Sequence, residues 1–307
     1  MRRVKWLLRS ASQAVFPKFT LAVLAHRTWV LEPEVALVPF LSRRKGLAVD
    51  AGTNKGVYLY HLSRHFRRVA GFEPLPSLAT YLEKAAPKNA NVRRMALSNA
   101  AGTATLSLPR GYNELGSLEA HTAETWTAAA PIEHHEVKLE TLDSLGLTEV
   151  ALLKIDVEGH ELPVIEGANK TIELWRPTIM VEVEERHRAG GVERIQNHLE
   201  ARGYRGYFLD GLKLRPMAEF DLKRDQNIES LAHSVKVSRY INNFLFFYAS
   251  DAAERVAVIE AALSNRHKLE LGAALAPGHT VTARERLTGT WRAARDMLRP
   301  AATAAAT

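Results

Sequence analysis

The chain has no cysteine in its 307 residues. That excludes disulfides, a thiolate nucleophile and any cysteine-based zinc site, and it fits a reducing compartment. Long hydrophobic runs are missing too: charges interrupt every apolar stretch before the ~20 residues that a membrane span requires. The basic opening Met1-Arg2-Arg3-Val4-Lys5-Trp6-Leu7-Leu8-Arg9 has no signal-peptide core, because Arg9, Lys18 and the polar run Ser10 to Gln13 break it. No arginine-rich block with interleaved aromatics occurs, which disfavours nucleic acid as a partner. Gly-x-Gly-x-x-Gly and a Lys-Ser/Thr phosphate loop are absent, and so is a Tyr-x-x-x-Lys pair. Tyr81 with Lys84 is the nearest approach to that pair, at the wrong spacing.

What remains is an ordinary globular composition, 46% hydrophobic and 24% charged, with a formal net charge of +7. A basic balance suits an acidic partner such as an anionic lipid surface or a charged glycan, or it is simply a solvated surface. The basic N-terminus has two readings: a helix packed on its own core, or a helix lying on a membrane. The expected location is cytoplasmic, with a peripheral place at the inner membrane face under the second reading.

From Gly46 onward, short apolar runs alternate with helical patterns, which implies an α/β fold with a mostly parallel, doubly wound sheet. Strands are expected at Gly46–Asp50, Val69–Phe72, Val92–Leu97, Val150–Asp156, Pro177–Glu182, Tyr204–Leu209 and Asn243–Tyr248. Gly102–Leu108 reads as a β excursion and Arg110–His135 as a long loop. Residues 1–45 form a helical extension and 46–249 the core domain. Residues 250–307 form a second helical extension, through Val256, Ile259 and Leu263 and then Leu287, Trp291 and Met297, ending in a disordered tail.

The sharpest chemical signal is Asp50-Ala51-Gly52-Thr53-Asn54-Lys55-Gly56, between a strand and a helix. Ligands of doubly wound sheets bind outside the carboxyl ends of the strands. Gly52 admits close backbone approach, Asn54 tolerates a left-handed backbone, and Gly56 lets the helix pack closely. A pyrophosphate seeks bare amides at a helix start. Asp50 instead supplies a negative charge there, which suits the ammonium and sulfonium of S-adenosylmethionine. Glu73 ends the next strand, placed to take both ribose hydroxyls. Each acid alone reads equally well as turn or capping chemistry, whereas the pair at adjacent strand ends favours a cofactor site.

These motifs, followed by Phe72-Glu73-Pro74, Ala96-Leu97-Ser98, Thr141-Leu142-Asp143 and Lys154-Ile155-Asp156-Val157-Glu158-Gly159-His160-Glu161, resemble the FkbM-like methyltransferases in kind and order. The resemblance runs from Gly46 to Glu184 and more weakly to Asn243. It implies a Rossmann-like class I fold, S-adenosylmethionine as cofactor, and methylation of a hydroxyl on a sugar, glycan, glycolipid or secondary metabolite. By the same resemblance Asp50, Gly52, Thr53, Asn54 and Gly56 line the methionine side. Glu73 binds ribose, and Ala96 and Leu97 sit beside adenine. Arg94-Met95 departs from the family, which usually has a polar residue before Ala-Leu-Ser.

Methyl transfer from a sulfonium needs in-line positioning and, for a hydroxyl acceptor, a proton acceptor. Asp156 is the first candidate for orienting the acceptor or taking its proton, with Glu158 and His160 behind it. The alternatives are a loop-fixing role for Asp156, helix-start stabilisation by Glu158 and Glu161, and a surface position for His160. Asp143 is expected to N-cap the Ser144-Leu145 turn. A Mg²⁺ shared by Asp156 and Glu182 is disfavoured, because two carboxylates make a thin ligand set. His134 and His135, adjacent on a strand, face opposite ways and cannot chelate one ion. The loop Tyr112–Ser117 reads either as acceptor-lining, with Asn113 and Ser117 as bond donors, or as plain surface. The competing functions are an NAD-dependent oxidoreductase and a non-catalytic binding module.

Overall fold

The computed structural model describes residues 15–28, 33–110, 116–119, 131–227 and 240–265. The loop tip at Tyr112–Leu115, the first fourteen residues and the second C-terminal helix with its tail lie outside them. A helix α1 (Pro17–Thr28) starts at a proline in the first helical position, where no amide is needed. A 3₁₀ segment (Pro33–Phe40) follows. The core then reads β1 (Leu47–Ala51), α2 (Val57–His65), β2 (Arg68–Phe72), α3 (Pro76–Ala85) and β3 (Ala90–Arg93).

A side excursion comprises β4 (Ala96–Leu97), β5 (Gly102–Pro109) and β6 (Ile132–Glu140). The chain returns through β7 (Val150–Ile155), α4 (Glu161–Glu166), α5 (Asn169–Trp175), β8 (Thr178–Glu182), α6 (Gly191–Glu200), β9 (Tyr204–Asp210) and β10 (Lys213–Pro216). It closes with α7 (Leu222–Asp225), β11 (Asn243–Tyr248) and α8 (Ala249–Asn265).

Eight strands form one sheet in the order β10-β9-β11-β8-β7-β1-β2-β3. The run from β3 to β8 is parallel, and β11 enters antiparallel between β8 and β9. Strand residues alternate between two apolar layers. Val49, Leu153, Ile155 and Phe244 pack with Val164, Ile172 and Ile195 on one face. Ala48, Leu152, Leu245 and Phe247 pack with Leu59, Leu62 and Ile259 on the other. In α6, Val192, Ile195 and Leu199 are buried at helical spacing.

The expected doubly wound α/β sheet is present, with several local corrections. The stretch Val92–Leu97 is two strands in two sheets, since Ala96–Leu97 leaves the large sheet and pairs with β6. The end of the expected loop, from Ile132, is strand β6, paired antiparallel along β5. Its polar Glu-His-His-Glu run hides a strand that cross-strand pairing stabilises. β10 was not expected. Asp143 does not cap its own turn: its carboxylate accepts from the amides of Lys170 and Thr171, which start α5.

Candidate functional site

After β1 the chain runs out to β2 and β3, and it returns on the other side as β7. The switch point therefore lies between the carboxyl ends of β1 and β7, where a crevice must open. Two turns border it, Gly52–Gly56 and Asp156–His160.

The first turn is held by backbone. The Gly52 and Thr53 amides both donate to Phe72 O, at 3.0 and 3.1 Å. Gly52 (φ 80°), Asn54 (φ 50°) and Gly56 (φ 84°) are left-handed, as residue type allows. A Cβ on Gly52 would lie 1.8 Å from the Asp156 carbonyl oxygen. The close approach that this glycine permits is therefore to the second turn. A Cβ on Gly56 would meet Leu82 of α3 and Leu21 of α1, so that glycine serves helix packing. Thr53 is buried, and its hydroxyl donates to the Asp50 carbonyl at 3.1 Å.

A cleft of about 610 Å³, its open mouth included, sits over these turns. Leu75, Leu106 and Leu118 form one apolar cluster and line it together with Phe72, Ala96 and Leu97. Gly52, Asn54, Glu73, Asp156, Glu158 and His160 supply the rest of the wall. Gly52, Asn54, Glu73, Ala96 and Leu97 of the expected cofactor residues thus meet in one place, with all three expected catalytic residues. Asp50, Thr53 and Gly56 are not on this wall.

Asp50 lies beneath the turn and is fully buried, with no hydrogen-bond partner on either carboxylate oxygen. The sheet register sets it beside Lys154, whose ammonium is 4.0 Å away. Burial raises the Asp50 pKa to about 7, against the opposing pull of Lys154; Asp156 adds to the rise, and the Leu59 amide lowers it slightly without closing a bond. Asp50 therefore does not offer a bare carboxylate to a ligand, because strand β1 turns it into the α2 face of the sheet.

Lys154 organises the charges, although residue reading treated it only as part of a motif. It is buried, lies 4.5 Å from the Tyr58 ring centroid and donates to Asp156 Oδ2 at 2.9 Å. Burial alone would lower its pKa, but Asp156 and Asp50 outweigh that and hold the ammonium charged. The signal was a lysine inside an otherwise apolar strand, a position that demands a buried partner.

Glu73 has both oxygens engaged: Oε2 accepts from the Asn54 amide and Oε1 from the Leu75 amide, each at 2.8 Å. Glu73 therefore fixes the turns at Asn54 and Leu75 and caps neither adjacent helix. Each carboxylate oxygen still has a second acceptor direction, and the residue lines the cleft. Burial raises its pKa to about 7 despite those two amides. Glu158 is raised well above the usual range, first by burial and then by Asp156 and Glu184. Its Oε2 lies 3.2 Å from His187 Nδ1.

His160 is not a surface loop residue. Its Nδ1 lies 2.7 Å from Glu119 Oε1 and its Nε2 lies 2.9 Å from Ser98 Oγ. A carboxylate only accepts, so this network assigns the proton to Nδ1 and leaves Nε2 accepting from Ser98. Both ring nitrogens are committed, which suits an orienting link better than a base. The hydrogen bond from His160 in turn holds the Glu119 carboxyl below its usual range.

Ser117 is buried, and its hydroxyl donates to the Glu158 carbonyl at 2.5 Å, so it fixes the second turn instead of facing a ligand. Glu182 accepts from Asn242 Nδ2 at 2.5 Å and does not line the cleft. Among the described residues no group of three or more His, Asp or Glu could hold a metal ion. Nothing in the sequence marks Glu119 or His187, and Ser98 shows only as part of a motif, because their partners are 41, 29 and 62 positions away.

A family model described as "Methyltransferase FkbM domain" matches residues 50–205. No curated protein matches the chain. Among solved structures, the chain is similar to a methyltransferase FkbM from Methylobacillus flagellatus KT, with 14% identity and a TM-score of 0.41. That match covers 66% of this chain and 44% of the other, so the chain spans less than half the length of that protein. A precorrin-8w decarboxylase from Methanobacterium thermoautotrophicum matches at 12% identity and a TM-score of 0.36, over 69% of this chain and 86% of the other. The 23S rRNA methyltransferase ErmE matches at 12% and 0.31, over 87% and 97%.

Proposed function

The chain belongs to the FkbM methyltransferase domain family, and from that premise we propose that it binds S-adenosylmethionine in the switch-point cleft and methylates a hydroxyl oxygen of a sugar, glycan, glycolipid or secondary metabolite. One observation carries this reading: the cleft joins an apolar patch to a wall rich in carboxylates. A ligand with a flat base and a cationic tail matches that division. Asn54 Oδ1, buried without a partner on the same wall, is an acceptor suited to an ammonium or hydroxyl donor. A pyrophosphate would instead meet Glu73, Asp156 and Glu158, which disfavours the dinucleotide reading.

When bound, S-adenosylmethionine supplies an electrophilic methyl group on a sulfonium that leaves as a neutral thioether. Glu73 takes ribose hydroxyls on its free acceptor directions, and Leu75, Ala96, Leu97 and Leu106 shelter the base. Asp156, one oxygen tied to Lys154, orients the acceptor hydroxyl. Glu158, raised by burial, takes the proton as the new oxygen–carbon bond forms.

The test is incubation with methyl-labelled S-adenosylmethionine and panels of sugar and secondary-metabolite acceptors, with products read by NMR. A labelled O-methyl resonance is expected. Label found only on nitrogen or carbon would overturn the oxygen assignment.

A further inference from the structure

Among the described residues six large hydrophobic side chains are exposed, and four of them fall within nine residues: Val15, Phe16, Phe19 and Val23. Phe16 and Phe19 are 63% and 71% exposed. Phe16, Phe19 and Val23 recur at i, i+3 and i+7, so they share one stripe. Leu21 and Ala25, on the opposite side of α1, are buried against α2 and α3. The helix is thus docked by one face and shows water an apolar other face, an arrangement that marks an interaction surface.

The charge around the stripe selects its partner. The first 31 residues hold six Lys or Arg and no Asp or Glu, the first acid being Glu32. The whole chain has 41 basic and 34 acidic residues, so nearly all of its +7 excess lies in this segment. The remainder is close to neutral, and a generally basic surface is not the source of the charge. Apolar side chains flanked by cations without acids match an anionic lipid surface. A two-fold contact with a second copy would set the same cations against each other.

We propose that α1 is a peripheral docking surface for anionic lipid bilayers, with Phe16, Phe19 and Val23 entering the interface and the exposed Lys18 beside them meeting the headgroups. Leu21 of this helix packs on Gly56, so the docking face sits at the glycine-turn edge of the sheet. Docking does not depend on the methyl-transfer reading.

The experiment is co-sedimentation of the full chain with phosphatidylcholine vesicles, with and without phosphatidylglycerol. The chain should pellet with the anionic vesicles only and be released by salt. The double variant Phe16→Ser/Phe19→Ser should lose about tenfold or more in partitioning with an unchanged melting temperature, since both side chains are exposed. The charge variant Arg9→Glu/Lys18→Glu should also weaken binding. Equal recovery on neutral vesicles, no binding to either, or full binding by the double variant would overturn the proposal. So would a dimer in sedimentation velocity that the serine variant dissolves, which would assign the stripe to a second copy.

Discussion

The two turns at the switch point bend the chain in the same way but are held by different means. Each follows a buried parallel strand and uses a left-handed non-glycine residue, Asn54 in one and Glu158 in the other. The Gly52–Gly56 turn is fixed mainly by main-chain bonds to its neighbour strand and by Glu73. The Asp156–His160 turn carries the charged groups, and side chains far away in sequence secure it: Lys154 below, Glu119 and Ser98 through His160, Ser117 on the Glu158 carbonyl. One turn shapes the cleft and the other charges it. They come closest where Gly52 passes the Asp156 carbonyl, beside the bond from the Asp156 amide to the Ala51 carbonyl.

That contact offers the severest way to break the pair. Gly52→Ala combines a left-handed backbone with a backbone clash that cannot relax cheaply. We expect a loss beyond about 5 kcal/mol, enough to unfold many domains, measured by thermal and urea melts; a normally folded variant would mean that the turns do not touch. Next comes Lys154→Met. It leaves Asp50 and Asp156 without their cation, at an expected cost of about 3–5 kcal/mol in urea denaturation. A cost below about 1 kcal/mol, the value of a surface ion pair, would deny Lys154 its organising role.

The first turn was largely legible in the sequence, because its determinants are local: glycine spacing, a strand before it, a helix after it. Glu73 was legible as the acid that ends β2. Asp50 was legible as the acid that ends β1 but its direction was not, since sequence marks a strand end but not which face a side chain takes beside a buried lysine. The second turn was legible as a motif, but its support was not. Ser98, Glu119 and His187 reach it only through folding, and no spacing rule connects them. The small sheet was half seen, because β6 is polar and becomes a strand only against β5.

A smaller effect separates shape from charge within the first turn. Glu73→Ala should weaken S-adenosylmethionine binding by about 1–3 kcal/mol, the cost of unpaired hydroxyls, and unchanged affinity would restrict Glu73 to fixing the turn. The gentlest probe is pH. Asp50, Glu73 and Glu161 have folded values of about 7, above the roughly 4 of exposed carboxylates. Those acids make the folded chain hold more protons between those limits, and together they outweigh His61, whose buried ring is pushed down to about 4 and gives up its proton on folding. Stability without ligand should fall as pH rises from about 4 to about 7 and then level off. A melting temperature that climbs through that window would contradict the buried-acid account.

The central claim is that the crevice between the two turns receives a cationic nucleoside donor. Calorimetric titration with S-adenosylmethionine, run in parallel with NADH, tests it most directly. The expected result is saturable one-site binding of S-adenosylmethionine that Glu73→Ala weakens, with no comparable heat from NADH. Preferential binding of NADH would contradict it.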